Sequence, residues 1–378
     1  MNETTTTTSS HSGKVKFGRD GGFHAELKHR VAEYFRESGR SPQGGLRMYV
    51  KSGTILLWFA ASYALLVFAA STWWQAALLS LSLSLAIAGT GFAIQHDANH
   101  GAYSRKAAVN RIMGMMLDLL GASSYVWHWK HNILHHTYTN VVGADQDINI
   151  KPFARLSPDQ PRRRYHRLQQ FYLWLLYGLL LPKWHLVDDF LNVGQARIDK
   201  NRIPRPRGWR LVEMIAGKVA FFSWAIVIPM LFHPWWAVLI FYGTIAFLVS
   251  VILATVFQIA HCLEEADFPH VPAGSDQIAD GWAEHQVKAT VDFAKDNRLL
   301  TWYLGGLNFQ VEHHLFPRIC HVHYPEISLI VEEICARRGI RYLAHKRFVG
   351  AISSHWRWLR RLGLPLSASA GLGRPFGR

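Results

Sequence analysis

The sequence is poor in charge, and poorest in acid. Only 18% of its 378 residues are Asp, Glu, Lys or Arg, against about 25% in an ordinary soluble chain, and 26 acids face 41 bases. A disordered or fibrous chain is excluded, because 49% of the residues are hydrophobic and 13% aromatic. Cys262, Cys320 and Cys335 form no CxxC pair and no even framework. That argues against a zinc ribbon or a disulfide scaffold, and for free thiols in a reducing compartment. The opening stretch MNETTTTTSSHSG lacks an apolar core and a small-residue cleavage site, so residues 1–13 read as a disordered polar tail rather than a secretory leader.

What the sequence has instead is apolar length. Runs of roughly 20 residues, enough to cross a bilayer, occupy 54–72, 73–95, 211–232 and 234–260. Tight connections at 71–75 and 231–236 make four spans in two helical hairpins. Cytoplasmic loops collect Lys and Arg; nine lie in 1–51, 17 in 96–210 and 14 in 262–378, with Lys218 inside a span. The expected product is an all-α, multi-pass membrane protein with both termini and the long middle segment in the cytoplasm. Trp73, Trp74, Trp235 and Trp236 are then interface anchors on the far side. The net charge of +15 reflects that orientation and calls for no nucleic-acid partner.

Outside the spans, Phe23, Leu27, Val31 and Phe35 recur every fourth residue, the stripe of an amphipathic helix within residues 14–50. Segments 168–181 and 184–193 are apolar but short or broken by Pro182, and read as interfacial. Residues 51–342 form the main membrane domain. Residues 343–378 carry His355-Trp-Arg-Trp, which suits a membrane-surface helix followed by a loose tail.

Histidine is the residue in surplus, at 21. It clusters as His96-Asp-Ala-Asn-His100 at the inner end of the second span, as His131-Asn-Ile-Leu-His135-His136, as His261 at the inner end of the fourth, and as Gln310-Val-Glu-His313-His314. Spacings of three and four put such side chains on one helix face, and all fall on the expected cytoplasmic side. Imidazole suits iron, copper, nickel and zinc. Eight imidazoles exceed the about four to six ligands that saturate one ion, so a pair of ions is expected. Acidic residues are nearly absent from the ligand positions, unlike the carboxylate-rich soluble di-iron bundles. A transporter or an intramembrane heme carrier would need ionisable or ligating side chains at mid-span, and the span middles contain no His, Asp or Glu.

The order HDANH, HNILHH and NFQVEHHLFP around two hairpins resembles the membrane-bound fatty acid desaturase family. Gln310 in the place of a first histidine of the third motif resembles its front-end type, and the likeness runs from about Lys14 to Tyr342. It implies a cytoplasmic helical cap holding a pair of non-heme irons, with His96, His100, His131, His135, His136, His261, His313 and His314 as ligands. Gln310 would ligate through its amide oxygen or hold water, and Asp97, Asp145, Asp147 and Glu312 would accept free imidazole N–H groups. O2 would be co-substrate, and an external electron pair would support removal of two hydrogens from an acyl chain. That chain is borne on CoA or a membrane lipid, and Trp127, Trp129, Trp302 and Tyr303 would line its tunnel. Lys130 and Arg318 are the bases nearest the motifs, facing CoA phosphate, an anionic head group or an acidic donor. Many front-end members carry a fused cytochrome b5 domain with an HPGG motif, which is not found here. The expected donor is therefore a separate cytochrome b5 or ferredoxin. The chain is also similar to bacterial members acting on linoleoyl-type chains, which implies the bacterial inner membrane. Sphingolipid long-chain-base desaturases and di-iron alkyl hydroxylases are the neighbouring alternatives.

Overall fold

The computed structural model describes residues 15–269, 271 and 275–365; the expected tails at 1–13 and after Pro365 lie outside the described residues. Among the described residues, four helices are long and apolar enough to cross a membrane: Gly45–Phe68, Trp73–Asn99, Trp209–Met230 and Trp235–His261. Each expected span has a counterpart. The second is the central one, with 67% of its apolar window buried against 17–28% in the others. The rest turn Leu57, Leu65, Phe68, Ile215, Val219, Leu239 and Ile240 outward, a sheath of apolar surface far larger than a monomer in water exposes.

Local chemistry fixes the ends of these helices. Thr72 and Gln75 form a reciprocal cap, Gln75 N–H donating to Thr72 Oγ1 at 3.4 Å and Thr72 N–H to Gln75 Oε1 at 3.1 Å. Pro234 stands immediately before the fourth helix, where its missing N–H costs nothing. The first helix starts at Gly45 rather than at 54. Its polar first turns face protein: Lys51 Nζ meets His321 Nε2 at 2.7 Å, and Ser52 Oγ accepts from Tyr103 OH at 2.9 Å.

The remaining segments pack around the long helices. Helix Phe23–Ser38 buries the expected stripe of Phe23, Leu27 and Val31 against Val287, Val311, Ile327 and Val331. Pro182 does not break the chain as expected, because it falls in the first turn of Leu180–Lys183, where no N–H partner is needed. The helix continues through a wider turn at Trp184–Asp188 into Asp189–Gln195. Phe171, Leu175, Leu179, Leu186, Val187, Phe190 and Leu191 stay exposed along that stretch. Helix Phe348–Gly363 buries Ala351, Ser354, His355, Trp358, Leu359 and Leu362, with His355 held between Tyr177 OH at 2.8 Å and the Cys262 carbonyl at 2.6 Å.

The all-helical expectation needs one small amendment. Among the described residues, three two-residue ladders tie the loops: Lys16–Phe17 with Gln277–Ile278, Arg197–Ile198 with Asn201–Arg202, and Asp292–Phe293 with Ala344–His345. The three cysteines are free and buried.

Candidate metal centre

The histidine motifs converge where the second and fourth long helices end. The chain runs as π-helix over Gly91–Gln95, just before His96, and again over His128–His135. In a π-helix residues five apart share a face, which is why His131 and His136 meet at 3.2 Å between their Nε2 atoms. His96 Nε2 approaches the same His131 nitrogen at 3.2 Å. His313 and His314 come from the short helix Gln310–Leu315, all of whose residues are buried.

Ligand atoms of His96, His100, His131 and His313 lie within 4.8 Å of one another, as do those of His135, His261 and His314. His136 joins His313 and His314 in a third such group and so stands between the other two. Gln310 Nε2 is 3.1 Å from His261 Nε2, which places the amide beside the second group. All nine positions expected from the sequence are therefore brought together, and all are buried.

The donors fit a cation. Nε2 of His100, His135, His313 and His314 and Oε1 of Gln310 are buried without a hydrogen-bond partner, a costly arrangement unless a positive ion takes the lone pairs. Burial, reinforced by neighbouring imidazoles, holds His100, His131, His136, His313 and His314 well below the usual histidine pKa. They are neutral at pH 7, the form that ligates. His135 differs: burial lowers its pKa, but Asp145 and then Asp147 outweigh that and raise it.

Asp145 does what was expected of it, meeting His135 Nδ1 at 3.0 Å and leaving Nε2 for the centre. Asp147 lies 3.7 Å from the same nitrogen and pairs with Lys130 at 2.8 Å. Two expectations are corrected. Asp97 serves no ligand imidazole but accepts from His321 Nδ1 at 2.8 Å and His321 N–H at 3.2 Å. Glu312 bonds Tyr342 OH at 3.0 Å, while burial and then neighbouring Asp292 push its pKa well up. Asp97, Cys320 and His321 form another candidate ligand trio, but the Lys51 ammonium beside His321 opposes a cation there.

Trp127 stacks on His131 at 4.3 Å, as a tunnel wall would. Trp302 lies instead near Lys51, and Tyr303 donates to the Leu85 carbonyl. Sequence reasoning missed Gln286, whose Oε1 lies 2.8 Å from His314 Nδ1, and Tyr324, 3.4 Å from His313 Nδ1. It also missed the function of Asn140, held at φ 60°, whose amide reaches the His261, Asp267 and Ala289 carbonyls at 2.9 to 3.2 Å. Asn140 thereby ties the second motif to the end of the fourth helix.

Asp145→Asn tests this outer shell. The amide oxygen accepts His135 Nδ1–H without the carboxylate's charge, and its NH2 cannot accept the Asp147 N–H that Asp145 Oδ1 now takes, so metal affinity is expected to fall about 10–100-fold. Competition with a chelator measures it, and an unchanged affinity would remove Asp145 from the centre.

Four apolar helices topped by a buried pocket of imidazoles define a histidine-rich candidate metalloprotein of the membrane type. Comparison with known proteins says which: a fatty acid desaturase family profile matches residues 71–346, and the chain belongs to that family. It is 37% identical to the sn-1 linoleoyl-lipid 6-desaturase of Arthrospira platensis, over 94% of this chain and 96% of the relative. It is 35% identical to the Synechocystis sp. protein of the same name, over 93% and 98%. Identity to the acyl-lipid (8-3)-desaturase of Physcomitrium patens is 36%, over 90% of this chain and 72% of the relative. The protein is a fatty acid desaturase, an oxidoreductase that introduces a double bond into an acyl chain.

Proposed function

We propose that this desaturase acts at the carboxyl-proximal part of an acyl chain esterified in a membrane lipid, with a pair of irons held by the eight histidines. The observation that carries the reading is the convergence of eight buried imidazoles and one amide into two adjoining groups bridged by a third, His136 with His313 and His314. The similarity to lipid-linked 6- and (8-3)-desaturases supports the position and the lipid-borne substrate. An acyl-CoA is the second substrate form compatible with the basic surface. The neighbouring readings, long-chain-base desaturation and alkyl hydroxylation, have less support, since these relatives are acyl-lipid desaturases.

Bound iron supplies the redox chemistry with O2 that removes hydrogen from unactivated methylenes, beyond the reach of any side-chain acid or base. The chain's own residues position and insulate. His131 and His135 are aimed by the π-turn and by Asp145, His314 by Gln286, and His313 by Tyr324. The Trp127 ring against His131 gives the acyl chain an apolar wall, and the buried surroundings keep bulk water away. O2 takes four electrons in all, two from the C–H bonds and two from outside, leaving one double bond and two waters. The external pair comes from a separate carrier, cytochrome b5 or a ferredoxin.

The long helices form two hairpins through a bacterial inner membrane, with the termini and the helical cap in the cytoplasm. The concentration of Lys and Arg outside the spans supports this orientation. The exposed apolar stretch 171–191 and the C-terminal helix then rest at the membrane surface.

Expression in a desaturase-free host, followed by mass spectrometry of fatty-acid methyl esters with double-bond localisation, tests the reading. The expected product is a new cis double bond between the carboxyl end and an existing one. A bond toward the methyl end would refute the positional claim, and a hydroxylated chain would favour the hydroxylase.

A further inference from the structure

One ligand has a direct contact with an aromatic side chain that reaches the surface. Trp282 opens the short helix Trp282–Ala289, and its indole Nε1–H donates to the backbone carbonyl of His136 at 3.2 Å. The indole is half-buried, with the His24 ring 5.0 Å from it. Ring centroids of His100, His131, His313 and His314 lie 4.4 to 4.7 Å from that of His136. Whatever reaches His136 therefore reaches both halves of the centre.

Another aromatic approach runs from Trp184 through Trp127 to His131. It starts beside exposed Leu186, Val187, Phe190 and Leu191, a surface suited to lipid and closed to a soluble acidic protein. The rim of Trp282 is different. Arg19 and Lys28 are exposed there, Lys28 one helical turn beyond His24. Gly281 packs so closely on Arg19 that a Cβ would lie 3.2 Å from its carbonyl oxygen. Of the neighbouring acids, Asp280 and Glu284 pair with Lys288 at 3.0 and 2.7 Å and Glu26 with Arg337 and Arg338 at 2.9 and 2.5 Å, while Asp20 accepts the His24 N–H at 3.0 Å through one oxygen and buries the other.

We propose that the surface around Trp282 docks an acidic one-electron carrier protein and that Trp282 passes the electron to the centre through His136. The inference rests on the desaturase reading, which needs an outside electron pair. Each encounter oxidises the carrier by one electron and reduces the centre by one. No bond is made or broken, and two encounters serve one double bond. Exposed Arg19 and Lys28 steer the approach, an effect that salt screens.

The test uses the iron-loaded full chain in lipid nanodiscs with reduced ferredoxin, and cytochrome b5 as a second probe. Trp282→Leu is expected to slow anaerobic oxidation of the carrier at least about tenfold, as a lost relay should. Trp282→Phe, which keeps a ring but no N–H donor, should fall between. Product formed after chemical reduction with dithionite and addition of O2, which bypasses the carrier, should match the unaltered protein. On the iron-free chain, the Arg19→Glu, Lys28→Glu double variant should weaken carrier binding about tenfold at low salt and less at high salt. Carrier oxidation by Trp282→Leu at the unaltered rate would overturn the proposal. So would unchanged affinity of the double variant, or loss of the dithionite-driven product in Trp282→Leu, which would make the indole a prop for His136. Failure of the unaltered protein to form product with dithionite, while still oxidising the carrier, would refute the desaturase reading instead.

Discussion

Replacing His136 with alanine is expected to abolish product while the protein still enters the membrane. His136 joins the two ligand groups, its Nε2 being 3.2 Å from that of His131 and its ring stacked on His314 at 4.4 Å. Removing it takes one donor from the group it forms with His313 and His314, whose buried Nε2 atoms have no hydrogen-bond partner. The loss should exceed the about 10–100-fold that follows removal of an outer partner such as Asp145. Methyl-ester analysis of host lipids, alongside detection of the protein in washed membranes, measures both halves of the statement. Full activity in His136→Ala would refute the assignment.

Gly305→Ala should be the most damaging change outside the ligands. Gly305 has φ 60°, and a Cβ there would lie 2.7 Å from Cα of Ala93 and nearer still to the Phe92 carbonyl oxygen. The left-handed backbone costs a non-glycine residue about 1–2 kcal/mol, and a clash against helix backbone adds about 1–3 kcal/mol or more. Against a total stability of about 5–15 kcal/mol that is a large share. The turn also holds the loop before Gln310 against the π-turn before His96, so the third motif would lose its register with the first. Gly339 is the control, since φ is 67° and no atom lies within 4 Å of an added Cβ. Gly339→Ala should pay the backbone cost alone. Thermal denaturation in detergent separates them, and equal loss in the two variants would show that the close approach does not matter.

Much of this protein is written in local sequence pattern. Four apolar runs found four helices because a segment that must satisfy its own backbone in lipid has few alternatives. The histidines were legible because ligand chemistry restricts residue type and spacing. Misreadings came where partners are chosen across the fold. Asp97 and Glu312 each adjoin a ligand in sequence, but neighbours on a helix do not face each other, so their carboxylates serve His321 and Tyr342. Gln286 and Tyr324 carry no spacing signal, because tertiary packing alone brings them to His314 and His313. Lys51 hid the true start of the first helix, since a lysine reads as a boundary until its partner His321 is known. No local propensity marks the π-turn that joins His131 to His136.

The central claim is a pair of irons on eight histidines, and iron analysis of the purified protein tests it most directly. Mass spectrometry of metal content against quantitative amino-acid analysis should give about two irons per chain, since eight histidines and Gln310 are more donors than the about four to six one ion takes. His136→Ala should lower that ratio without unfolding the helices. A ratio near one, or zinc in place of iron in an active preparation, would contradict the account.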